Sequence, residues 1–498
     1  MGLTGKKTHE NIEEMSQDDI QVVIPKKKTR FYFVDYARFW LCVGVMVGHV
    51  FRFYDDHGDD TKIAYRHMGG IESFLVIGHL MAMSGFFLYA GCSSVWSIKS
   101  NTKVAPYILK RTMRLLIPLF GGLVLFVIPT KFLQRSYLNC GSTAPDNIFA
   151  YFPYYFTDCF SQMGFYWLWF LPLLFAVSIL FTPLIKTLIR TLKNDDRLSI
   201  AVVKLTGLSL FYVAFSILWV WFFGITYWVV LSMIFNLLAL LSTIIAKKLP
   251  ALSILLVVVF VFVSRTVFHM ADPPNDSLQQ QAYVFMGYLV LYVLGAGIAL
   301  VNLIAKGIFN SGLVKMLTVT IVILLFFCCA PTWDGVESYR LLGGIYSTFN
   351  EIWNRQRWGY FSIVLVMIFS YNMAALFPNE VNPLLYSFCV RSFLPGYIIH
   401  PFVAMIFARI FIWLDISPYI SLILMSIFVL FFSLFLATLI DMVPYVRGAL
   451  GYSGKPWFKI AREIVSKSKN SSSAIVEDDV ESTEMTKMSL ESDDLRNV

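Results

Sequence analysis

Runs of about 20 apolar residues recur along almost the whole chain, and no other feature limits its fold so strongly. Each run matches the hydrocarbon thickness of a bilayer when it is wound as a helix. Twelve such runs are legible, near 32–53, 71–92, 115–134, 165–185, 199–223, 226–246, 251–270, 282–302, 316–332, 359–377, 393–414 and 418–441. Composition agrees: of 498 residues 57% are hydrophobic and only 14% are charged, against about 25% charged in a soluble domain. The expected fold is therefore an all-α integral membrane protein, a bundle of about 10–12 transmembrane helices. The net charge of +8 is then no sign of nucleic-acid binding; what matters is where the positive charges lie.

They lie mostly on one side. Counted over the segments between the spans, 28 of the 40 lysines and arginines fall on the face that also carries the two ends of the chain. By the positive-inside rule, both termini are expected to be cytoplasmic. Three regions follow: a polar leader over 1–29, the membrane domain over 30–445, and a cytoplasmic tail over 446–498. The tail opens basic and amphipathic, then turns acidic and Ser-rich, a composition expected to be largely disordered. Its acidic, Ser-rich end suggests a eukaryotic source, and with it a plasma-membrane or secretory-pathway location. Asn275-Asp276-Ser277 falls in an expected outer loop, where it would be open to glycosylation; Asn470-Ser471-Ser472 in the tail would not. The seven cysteines have no metal-ligand spacing, so no metal site is expected. Cys140 and Cys159 share an outer loop, where an oxidising compartment would allow them to pair.

The first run carries charges that a membrane span should not contain. "DYARFWLCVGVMVGH" runs from Asp35 to His49, and a charged side chain at mid-span costs roughly 2.5–3.5 kcal/mol. At 100° per residue, Arg38 and His49 are eleven residues but only about 20° apart, three turns along one face and roughly 16 Å from each other. Asp35 lies one turn before Arg38, within pairing distance. Such a stripe either locks neighbouring helices together or marks a pathway or active site. Three ionisable groups on one face favour the second.

The same stretch resembles the first span of the membrane-bound acyltransferase-3 family, which is marked by an arginine, ten residues and a histidine. Further resemblances follow in order: "MSGFFL" (Met83 to Leu88), "LKRTMRLLIPLFGGLVLFVIP" (Leu109 to Pro129), "WLWFLPLLF" (Trp167 to Phe175) and "YIIHPF" (Tyr397 to Phe402). The wording is most similar to the glucan succinyltransferase-like branch. This chain departs from that branch at Trp167, where a histidine is usual.

The resemblance implies an O-acyltransferase, moving an acyl group from cytoplasmic acyl-CoA to a hydroxyl, often of a carbohydrate, on the far side of the bilayer. The residue chemistry is compatible. A hydroxyl attacking a thioester needs a base, and histidine is the usual one. His49 is thus expected to be the general base, or a transient acyl carrier if transfer takes two steps. Arg38 near the cytoplasmic end would grip a phosphate or polarise the thioester, and Asp35 would hold Arg38. Arg111 and Arg114, with Lys110, would meet the phosphates of the CoA donor, or serve only as positive-inside anchors. His400, read as seven residues into a span entered from the cytoplasm, is expected nearer in depth to Arg38 than to His49, either in contact with donor or substrate or bonding a backbone carbonyl freed by Pro401. No permanently bound cofactor is expected. The competing class is a multispan solute transporter, which the composition fits equally well. Against it stand the absence of an internal repeat and the spacing from Arg38 to His49.

Overall fold

The computed structural model describes residues 31–54, 71–98, 103–135, 144–160, 164–193, 198–223, 227–269, 277–301, 362–363, 365–374, 376–377, 382–452 and 455–466. These residues form an all-helical bundle with no strand among them. In chain order the helices are α1 (Tyr32–Phe51), α2 (Ile71–Ser97), α3 (Val104–Leu133, with a π-helical turn at Leu123–Val127), α4 (Ile148–Tyr154), α5 (Phe170–Lys193), α6 (Leu198–Phe223), α7 (Tyr227–Ser242), α8 (Pro250–His269) and α9 (Ser277–Leu300). There follow α10 (Leu365–Ala374), α11 (Pro383–Trp413), α12 (Pro418–Met442), α13 (Pro444–Ala449) and α14 (457–466). Among the described residues, seven helical stretches are long and apolar enough to cross a membrane, and three shorter apolar helices accompany them. The expected run 316–332, the sequon at Asn275 and the acidic tail beyond Ser466 lie outside the described residues.

The lipid-facing and inward faces are separated by side-chain size rather than by polarity. Along α12 the buried positions are Ser421, Met425, Val429, Ser433, Ala437 and Asp441, every fourth residue. Ile420, Ile423, Ile427, Phe431 and Phe435 lie exposed on the other side. Within lipid no hydrophobic force drives helices together, so small residues face the bundle and bulky apolar ones meet the acyl chains.

The closest packing joins α2 to α9. A Cβ placed on Gly295 would lie 1.9 Å from the carbonyl oxygen of Leu88, and one on Gly91 would lie 2.1 Å from that of Tyr292. Both obstacles are backbone, so neither can rotate away. Gly295→Ala should therefore push the two helices apart and cost about 1–3 kcal/mol, as overpacking does. Gly207→Ala on α6, whose new methyl meets nothing within 4 Å, should be harmless. Thermal unfolding in detergent compares the two variants, and equal stability would refute the close-packing account.

Two helices begin earlier than the apolar runs suggest. α3 starts at Val104 instead of 115, taking Lys110, Arg111 and Arg114 into the helix. α11 starts at Pro383 instead of 393, capped by the Asn382 side chain, which accepts from the backbone N–H groups of Leu384 and Leu385 at 2.9 and 3.2 Å. Hydropathy places the start of a span where charge ends. Capping and tertiary partners extend the helix beyond that point.

Packed structure also continues past the expected tail boundary at 446. Asp441, at the end of α12, is 1% exposed. It pairs with Arg391 at 3.1 Å and Arg447 at 3.2 Å, and it accepts the backbone N–H of Trp457 at 2.6 Å. Leu450 is fully buried, and the Trp457 indole reaches Ser387 on α11 at 3.2 Å. The basic, amphipathic first part of the tail is thus folded back as α13 and α14. Its arginine and tryptophan have partners in the bundle that local composition does not reveal.

Candidate active site

α1 and α11 run parallel and meet at a seven-residue spacing. The Tyr386 hydroxyl donates to Asp35 Oδ2 at 2.5 Å, the Cys42 thiol to the Phe393 carbonyl at 3.0 Å, and the rings of His49 and His400 lie 5.0 Å apart. Residues 35, 42 and 49 thus face 386, 393 and 400 in one register. A seven-residue step returns within about 20° on a helix, so the seam stays on one face over three contacts. It joins two clusters of polar side chains, around Arg38 and around His49, roughly 16 Å apart along the axis of α1.

The first cluster surrounds Arg38. Its guanidinium lies 3.7 Å from Asp35 and donates to the Tyr89 carbonyl of α2 at 2.8 Å. The intrahelical pair expected between Asp35 and Arg38 is present, with each side chain 21% exposed. Arg111 turns inward from α3, giving Nε to the Tyr107 hydroxyl at 2.9 Å and Nη2 to Ser94 Oγ at 3.0 Å. It stands close enough to Arg38 for the two cations to repel, and Arg114 is within similar range of Arg111. Arg38 thus pairs with Asp35 while Arg111 adds a second guanidinium beside it and Arg114 a third towards the surface, leaving an excess of positive charge at this end of the seam among the described residues. Such an excess favours an anionic guest. Lys110 and Arg114 are exposed, so Arg111 is the basic residue of α3 that enters the bundle.

The second cluster surrounds the two histidines. His400 is fully buried in the middle of α11, its Nδ1 2.5 Å from the Tyr397 carbonyl and its Nε2 without a hydrogen-bond partner. His49 is half-buried near the end of α1. The expectation that His400 lies nearer to Arg38 in depth is overturned. Because α11 begins ten residues before its apolar run, His400 stands 17 residues into the helix and reaches the level of His49. A frame from the loop before α5 holds this turn: the Trp167 indole donates to the Ile398 carbonyl at 3.3 Å, and the Tyr397 hydroxyl donates to the Trp167 carbonyl. Tyr397 also packs edge-on against Phe170, with centroids 4.8 Å apart. Trp167 therefore braces the turn of α11 that carries His400.

Tyr386, Tyr107 and Ser94 are contributors that the sequence does not single out. A lone tyrosine or serine in an apolar helix has no periodic signature, and only its charged partner identifies it. Among the described cysteines, Cys159 is disulfide-bonded, and Cys42, Cys92 and Cys389 are free thiols. Cys140, Cys328 and Cys329 lie outside the described residues, as do the side chains of Glu72 and His79.

A multi-pass helical membrane protein with an imidazole pair at one end of a seam and a guanidinium cluster at the other is the class defined by this geometry. Residues 31–241 match the acyltransferase-3 family, described as an acyltransferase domain. This match supports the acyltransferase-3 family for that part of the chain, and with it a membrane acyltransferase kind of function. The matched stretch includes Asp35, Arg38, His49, Arg111 and Arg114, and His400 is brought to it from outside. No curated protein and no solved structure matches the chain.

Proposed function

We propose that the protein transfers an acyl group from acyl-CoA on the cytoplasmic side to a hydroxyl on the opposite side, with a carbohydrate as the acceptor class. The observation that carries this reading is the single seam that has surplus positive charge at one end and imidazoles at the other. An acyl-CoA has the same polarity. Its phosphates match the cluster of Arg38, Arg111 and Arg114, and a long flexible arm carries the thioester away from them. Arg38, braced by Asp35 and through it by Tyr386, holds a phosphate or polarises the donor. His49 meets the acceptor.

In the direct route the acceptor oxygen attacks the thioester carbonyl, and His49 takes the hydroxyl proton. The C–S bond then breaks, and the CoA thiolate leaves and regains a proton from the imidazolium. In the two-step route the His49 imidazole itself carries the acyl group before the hydroxyl receives it. There the nitrogen attacks the thioester carbonyl and the C–S bond breaks to release the CoA thiolate; the hydroxyl then attacks the acyl-imidazole, the C–N bond breaks, and the hydroxyl proton passes to the thiolate. The glucan succinyltransferase-like branch, cytoplasmic termini and a plasma-membrane or secretory-pathway location belong to the same proposal.

The test is thiol release by the purified protein from acetyl-, succinyl- and palmitoyl-CoA, with and without β-glucan oligosaccharides. Release that depends on the acceptor supports the reading. Solute uptake into proteoliposomes without thiol release would replace it with a transporter.

The two ends should fail differently. Arg38→Ala should raise the KM for the donor about tenfold or more, the order of one charge-assisted contact. It should also lower stability by leaving Asp35 without its cation. Adding Asp35→Asn, which removes the charge but keeps an acceptor for Tyr386, should restore the melting temperature without restoring donor affinity. Restoration of both would make the pair a structural lock.

A further inference from the structure

His400 carries an unused hydrogen-bonding capacity in a fully buried place. Its Nδ1 faces the Tyr397 carbonyl at 2.5 Å. A carbonyl only accepts, so Nδ1 carries the ring proton and Nε2 presents a lone pair. That Nε2 is buried and unpartnered, a desolvation cost that stands unless another group satisfies it in the working state. The neighbouring group is His49, whose ring centroid is 5.0 Å away. Imidazole nitrogens lie about 1.1 Å from the ring centre, so a linear N–H···N bond of about 2.9 Å sets the centroids about 5.1 Å apart. The two rings already stand at that separation.

We infer that His400 is the positioning residue for His49: its Nε2 accepts one N–H of His49 during transfer, so that the other His49 nitrogen presents its lone pair to the reacting centre. The inference rests on the acyltransferase function proposed above and moves His400 from donor binding to the acceptor end. An orienting group behind the base recurs wherever an imidazole must hold one tautomer. Here a neutral imidazole does the holding, and its own tautomer is set by Tyr397. Trp167, tied to Ile398, keeps that turn of α11 in place. His400 neither gains nor loses a proton in the cycle, so the electron and proton balance is that of the transfer itself. The same arrangement serves the direct and the two-step routes.

The experiment compares His400→Phe, which keeps volume but has no lone pair, with His400→Gln, whose side-chain oxygen can accept near the position of Nε2. His49→Ala is measured in parallel, with acetyl-, succinyl- and palmitoyl-CoA as donors and β-glucan oligosaccharides as acceptors. His400→Phe is expected to lower kcat about 100-fold with the donor KM unchanged within twofold, while His400→Gln recovers to within about tenfold of the parent. Three results would overturn the inference while leaving the acyltransferase function standing. These are near-normal kcat in His400→Phe, a loss confined to donor KM, or failure of both His400 variants to fold when His49→Ala folds. Acceptor-dependent thiol release absent from the parent protein would instead refute the acyltransferase function itself.

Discussion

His49→Ala protein is expected to fold, to keep its affinity for the donor, and to lose transfer to the acceptor by about 10²–10⁴-fold, the range of a positioned acid–base group. Several features point to this separation of fold from activity. His49 is half-buried near the end of α1, and the seam with α11 is secured elsewhere by Asp35 with Tyr386 and by Cys42 with the Phe393 carbonyl. The donor cluster is three turns away and contacts α2 and α3 instead. A stripe that merely locked helices would behave otherwise, with substitutions at 35, 38 and 49 lowering folded yield together and the surviving protein keeping its specific activity. Size-exclusion profiles and thermal unfolding measured beside transfer rates distinguish the cases. Full transfer by well-folded His49→Ala protein would remove this residue from the chemistry.

Asp441→Ala should produce the largest loss of stability, about 3–5 kcal/mol, as when one partner of a buried charge group is removed. The carboxylate is 2% exposed and serves two guanidiniums, each 16% exposed, together with the Trp457 amide. Its removal leaves two positive charges in a low-dielectric place with one acceptor fewer. It also frees the segment 444–466, so limited trypsin digestion should cut near Arg447, Lys455 and Lys459 faster. The effect should extend to the donor end, because Trp457 is bonded to Ser387, the residue after the Tyr386 that holds Asp35. Breaking the exposed pair of Lys455 and Glu463, whose side chains are 63% and 52% exposed, should change stability by under about 1 kcal/mol. Equal melting temperatures for Asp441→Ala and the parent would refute the hub.

The sequence alone determined the class of structure and one side of the site. Long apolar runs dictate helices because lipid offers the backbone no hydrogen bonds. Against such a background, each charge stands out: Asp35, Arg38 and His49 were legible on one face because helical periodicity relates residues within a single element. Arg111 was legible only as one of three basic residues before the third apolar run, with no sign that it alone turns inward. The family resemblance read from short motifs in order is matched over residues 31–241.

Only the tertiary structure decided which helices those charges meet. His49 and His400 are 351 residues apart, and no local pattern encodes the parallel register of α1 on α11. That register follows from side-chain packing along the seam and from a helix start at Asn382, which hydropathy cannot detect. The depth of His400 was misjudged for that reason. Tyr386, Ser94 and Asp441 acquire their roles from partners distant in sequence. The basic, amphipathic start of the tail gives no sign in its composition of the partner it meets, the buried Asp441 carboxylate that pairs with Arg447 and accepts the Trp457 N–H. Periodicity is a property of one helix, whereas the pairing of charges depends on how helices pack, and only the assembled bundle specifies that.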